Sequence, residues 1–96
     1  MIMQEIIDGK RYDTETAELV TDDEYWDGSN WDRRGRNTYL YRTKKGAFFL
    51  YYTTRWQGER NSIRAIDIEE ARVFYEQLPD RSMSYKDAFG DEPEEG

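Results

Sequence analysis

The stretch TYLYRTKKGAFFLYYTT, residues 38–54, constrains the fold more than any other part of the chain. Its aromatic and β-branched residues suit a pleated, half-buried surface. The runs 38–43 and 47–54 flank Thr43-Lys44-Lys45-Gly46, which fits a type I turn closed by a glycine in the left-handed region, the G1 bulge of a β-hairpin. That turn sets the register. With Thr43 opposite Ala47, period-2 alternation places Leu40, Arg42, Phe48, Leu50, Tyr52 and Trp56 on one face, and Tyr39, Tyr41, Phe49, Tyr51, Thr53 and Arg55 on the other. The Leu/Phe/Trp set is the better core, so the tyrosine-rich face is expected to stay open.

The flanking segments supply partners for this ribbon. Asp8-Gly9 suits a type I′ turn, whose two central residues both need positive φ, and predicts a hairpin from residues 2–7 and 10–14. Residues 14–21, TETAELVT, read either as a strand or as a short helix capped by Asp13 or Thr14; three Thr and a Val favour the strand. Residues 22–37 mix Gly, Asn, Ser and charge without period and read as a long loop, of the kind that often carries contacts to a partner. Residues 62–66 form another short strand. Asp67 then caps a helix with Glu70 at its N3 position, and Ile68, Ala71, Phe74, Tyr75 and Leu78 follow at helical spacing, with Arg72 and Glu76 as an outer i,i+4 pair and Pro79 as the stop. Residues 84–89 add a short helical turn closed by Gly90. The expectation is an α+β domain over residues 1–90, an antiparallel sheet of four to five strands with one C-terminal helix on its Leu40/Phe48/Leu50 face, followed by a disordered acidic tail, 91–96.

Charge and missing residue types bound the function. A chain of 96 residues holds one core. Its net charge of -7 hides a pattern: residues 1–32 carry -8, residues 33–64 carry +8, and residues 65–96 carry -7. The chain has no His and no Cys, which removes thiol nucleophiles, disulfides, soft zinc sites and the side chain that titrates near neutrality. Neither Ser29 nor Ser62 has a base proposed by spacing, and Glu69 and Glu70 are explained by the positive end of a helix, so the chain is expected to be no enzyme and to need no cofactor. An EF-hand alignment started at Asp23 puts Tyr25 at position 3 and Arg34 at position 12, where ligands are required, so no metal site is expected. The N-terminal apolar run is too short for a signal peptide, and no window approaches the ~18 apolar residues of a membrane span. These features predict a soluble protein of the cytoplasm with no membrane partner.

The segments GKRYDTETAELV (9–20), TYLYRTKKGAFFLYY (38–52), DIEEARVFYEQL (67–78) and YKDAFGDEPEE (85–95) resemble, in order and spacing, a group of small uncharacterised proteins carried by phages and other mobile elements. Members are similar in a DGKRYDT opening, a LYRTKKG-x-FFL hairpin, a Gly-rich loop and a helix opened by acidic residues. This chain departs from them after the hairpin, where TTRWQGERNS (53–62) has only Gly58. The resemblance implies a mobile-element context, in which small acidic proteins serve as inhibitors of host defence enzymes, including anti-CRISPR and antirestriction proteins.

Three surfaces are therefore candidates. The first is a protein-binding face of Tyr39, Tyr41, Phe49, Tyr51 and Arg55, residue types enriched at interface hot spots, meeting a host protein or defence complex, or closing a homodimer. The second is an acidic surface of Asp22, Asp23, Glu24 and Asp27, which with the tail could mimic nucleic acid in a basic groove. The third is a nucleic-acid site in which Arg42, Lys44, Lys45 and Arg55 contact phosphates beside the stacked aromatics. The two acidic thirds repel phosphate at long range and make this the less favoured reading.

Overall fold

The structure, a computed structural model, describes residues 3–23, 37–54 and 58–93. Seven strands, β1 (Gln4–Ile7), β2 (Lys10–Asp13), β3 (Glu18–Asp22), β4 (Asn37–Arg42), β5 (Phe48–Thr53), β6 (Ser62–Ile66) and β7 (Asp80–Arg81), and two helices, α1 (Ile68–Gln77) and α2 (Tyr85–Phe89), are found among them. Five strands form one antiparallel sheet in the order β6-β5-β4-β3-β7, while β1 and β2 pair only with each other. The class is α+β.

The central turn forms as its residues dictate. Gly46 takes φ of 87°, its N–H donates to the Thr43 carbonyl at 2.9 Å, and Thr43 N–H donates to the Ala47 carbonyl at 2.7 Å. Arg42 then faces Phe48 and Leu40 faces Leu50, the register the turn predicts. At the first hairpin Asp8 and Gly9 take φ of 52° and 76°, as a type I′ turn needs. Between these hairpins residues 14–17 turn rather than extend: Asp13 accepts from Glu15 N–H through its side chain at 2.8 Å and from Ala17 N–H through its carbonyl at 3.1 Å. Strand β3 starts only at Glu18 and carries a bulge between Leu19 and Thr21. Helix α1 opens with Asp67 accepting from Glu70 N–H at 2.8 Å, a cap that contributes about 1 kcal/mol. Helix α2 opens on the Ser84 hydroxyl, which accepts from Asp87 N–H, and closes on Gly90 in the left-handed region.

Residues paired directly across strands share a face, so the sheet carries two rows of opposite fate. Arg64, Leu50, Leu40, Thr21 and Arg81 lie in one row on the helical side; Ile63, Tyr51, Tyr39, Asp22 and Asp80 lie in one row on the other. On the helical side Val20, Leu40, Phe48 and Leu50 bury against Ala71, Tyr75 and Leu78 of the α1 region and Ala88 of α2. The opposite face has a core of its own, in which Tyr12 joins Phe49, Tyr51 and Ile63, with Met3, Ile7, Tyr39 and Tyr41 packed around them. The molecule therefore has three layers: helices, sheet, and the β1–β2 hairpin. The expectation of an open tyrosine face is overturned by the third layer. At the start of the expected tail, Asp91 and Glu92 lie 3.8 Å from Arg72 and Lys86 respectively.

Candidate functional site

The protein-binding face expected from the ribbon is largely interior. Phe49 is fully buried and Tyr51 is 3% exposed, while Tyr39 and Tyr41 are half-buried. The Tyr12 ring meets Phe49 edge-on at 5.6 Å, Tyr41 stacks on Phe49 at 5.2 Å, and Tyr39 lies 5.6 Å from Tyr51. Full burial of one such ring contributes about 1.5–3 kcal/mol, which is why hairpin β1–β2 settles there. The signal for this cover was present in Ile7 and Tyr12, which fall on the inner side of their own hairpin and need something to bury against. Arg55 lies outside the described residues. A homodimer closed through the tyrosine face loses its surface to the same hairpin.

Of the acidic surface expected at the start of the long loop, Asp22 is buried and Asp23 half-buried. Asp22 is 8% exposed, in register with Tyr39 on one side and Asp80 on the other, and Asp23 accepts from Thr38 N–H at 2.8 Å. Glu24 and Asp27 lie outside the described residues. Of the basic residues, Lys44 and Lys45 are exposed at the turn while Arg42 is half-buried. They stand beside a covered aromatic face, so the combination of phosphate contacts with stacked bases is not assembled around Phe49 and Tyr51.

A different surface collects what these three did not. Residues 67–93, the helical layer, contain eight acidic and three basic side chains. On α1 the arc away from the core carries Glu69, Glu70, Glu76 and Gln77 around Val73, which is 50% exposed. The cations of this layer are held by groups of the same chain. Arg72 donates to the Tyr85 hydroxyl, lies 3.8 Å from Asp91, and packs its guanidinium 5.1 Å from the Phe89 ring centre. The Tyr85 hydrogen bond is the main reason its pKa rises above the ordinary arginine value; burial opposes the rise, and the charges of Asp91 and Glu69 add to it. Arg81 sits 4.9 Å above the Tyr75 ring and donates to the Tyr75 carbonyl at 3.1 Å. Lys86 faces Glu92 at 3.8 Å, and Arg64 of β6 faces Glu70 at 3.4 Å. The helical i,i+4 partner expected for Arg72, Glu76, is not the one taken, because the rings of α2 and the Tyr85 hydroxyl offer the guanidinium more contact. Glu69 and Glu76 make no ion pair within 4 Å among the described residues. The layer thus presents an excess of exposed carboxylates, while its three cations, exposed at Arg81 and Lys86 and half-buried at Arg72, are each met by groups of the same chain.

Among the described residues no three His, Cys, Asp or Glu side chains converge as a metal site, and no helix is long and apolar enough to cross a membrane. Compared with family models, with curated proteins and with solved structures, the chain matches none.

Proposed function

We propose that this chain is a non-enzymatic binding factor that applies the acidic arc of α1 to a basic surface on another protein, of the kind a phage or other mobile element directs at a host defence complex. One observation carries the reading: every cation of the helical layer among the described residues is engaged by the chain's own rings, carbonyls or carboxylates, while Glu69 and Glu76 are exposed and make no ion pair within 4 Å among those residues. Solubility alone needs net charge and not this sorting. Glu76 adds a further reason. It lies in the last turn of α1, where the helix dipole disfavours negative charge; that turn has no basic residue of its own, and Arg81 of β7 meets its carbonyls. A locally unfavourable charge kept on an exposed arc marks a residue held for contact rather than for folding. Partners that hold nucleic acid present the complementary surface, which keeps mimicry of nucleic acid within this reading and moves it from the start of the long loop to α1.

The test is capture from a host lysate treated with nuclease, using the wild type, Glu69→Gln/Glu70→Gln/Glu76→Gln, and Lys44→Glu/Lys45→Glu. The triple variant keeps its fold, because the loss at Glu69 and Glu70 near the helix N-terminus is opposed by the gain at Glu76 near the C-terminus. Partners retained by the wild type and by the lysine variant but lost by the triple variant support the proposal. Partners that vanish with nuclease or with the lysine changes, or that ignore the glutamates, overturn it.

A further inference from the structure

Between α1, β7 and α2 lies a groove of about 550 Å³ whose lining includes Arg72, Tyr75, Glu76, Arg81, Tyr85 and Asp91. We propose that this groove is a binding site for a carboxylate group, occupied in the free protein by Asp91 of the same chain. The groove shares Glu76 with the acidic arc of α1, but the inference does not depend on that arc meeting a partner.

Two guanidiniums enter the groove from different elements, and each is already positioned. Arg72 rests 5.6 Å from the Tyr85 ring centre and 5.1 Å from that of Phe89, and donates to the Tyr85 hydroxyl. Arg81 rests 4.9 Å above Tyr75, with one nitrogen donating to the Tyr75 carbonyl at 3.1 Å and the Glu76 carbonyl at 3.4 Å. Ring packing occupies the flat face of a guanidinium and leaves the donors on its edge, the part that meets a carboxylate in bidentate fashion. The side-chain entropy that a mobile arginine loses on binding is here lost already in folding.

The fork of Arg72 is also under-supplied. Asp91 stands 3.8 Å from its terminal nitrogen, near enough for charge and too far for a hydrogen bond, and the Arg72 Nε, with no acceptor among the described residues, is buried away from the groove's solvent. The Asp91 side chain is 64% exposed, so little holds it there, whereas that of Arg72 is 26% exposed. Asp91 is thus a weak occupant of a site large enough for a small molecule or a side chain. Glu76 and Glu92 on the lining make a second negative charge on the ligand unfavourable, which selects a monocarboxylate over a phosphate dianion.

The test follows the arginine Nε–Hε signals by NMR while benzoate, a blocked aspartyl amide or inorganic phosphate is added to the full chain. A saturable shift at Arg72 with either carboxylate and a weaker response to phosphate support the site; the tighter of the two carboxylates tells whether a free acid or an acidic side chain is the better ligand. Asp91→Asn removes the internal competitor and tightens binding by up to about fivefold. Arg81→Lys keeps the charge but loses the fork and weakens binding by about tenfold. An Arg72 signal that does not move, moves equally for phosphate, or binds no tighter in Asp91→Asn overturns the proposal.

Discussion

Thr21 shows how much a single position can carry. Its side chain is fully buried on the helical side of β3, in the row of Leu40, yet its hydroxyl has no hydrogen-bond partner. The bulge after Leu19 brings it there, directing both Val20 and Thr21 inward, where simple alternation assigns them to opposite faces. An unsatisfied buried hydroxyl costs about 1–3 kcal/mol. Thr21→Val, nearly the same shape without the hydroxyl, is expected to raise stability by about 1 kcal/mol, read as a higher urea midpoint at unchanged slope. A fall of similar size would mean that the hydroxyl has a partner. Nothing in TETAELVT announces the bulge, because it arises from how β3 meets β4 and not from local turn chemistry.

At the scale of elements, what was legible in the sequence is what neighbouring residues decide among themselves. The Thr43–Gly46 turn, its register, the Asp67 cap and the Gly90 stop are local matters of φ, hydrogen bonds and spacing, and the structure has each of them. The placement of β1–β2 was not legible in the same way. Both faces of the ribbon are apolar enough to be covered, and a pattern of period 2 does not say which element lands on which side. Tyr12 is the ring through which that hairpin reaches Phe49. Tyr12→Ala is therefore expected to cost about 3 kcal/mol in urea unfolding, while a loss below about 1 kcal/mol would mean that the hairpin lies loosely on the sheet. Helix α1 gives a prediction of the opposite sign. Glu76→Gln removes a negative charge from the last turn and is expected to raise stability by about 0.3–1 kcal/mol while weakening capture of the partner. A stability loss would show that Glu76 serves the fold instead.

Over the whole molecule, the three-layer arrangement decides which of the candidate surfaces survive. The acidic residues of the middle loop that are described, Asp22 and Asp23, are drawn into the structure, and so are Phe49 and Tyr51, while the last third turns its acids outward along the helices. The strong segregation of charge along the chain was legible; which acidic third faces solvent was not, because that depends on pairing across the sheet. With the tyrosine face taken by its own hairpin, the chain is expected to sediment as a monomer of 11.6 kDa at all concentrations tried, and a dimer disrupted by Tyr39→Ala would reinstate that face as an interface. The most direct test of the layered structure is a nuclear Overhauser spectrum of the aromatic rings with a soluble paramagnetic probe added. Cross-peaks between Tyr12 and Phe49, whose centroids are 5.6 Å apart, with the Phe49 and Tyr51 signals protected from the probe, are the predicted result. Absence of those cross-peaks, with Phe49 and Tyr51 broadened by the probe, would contradict it and return the binding surface to the ribbon.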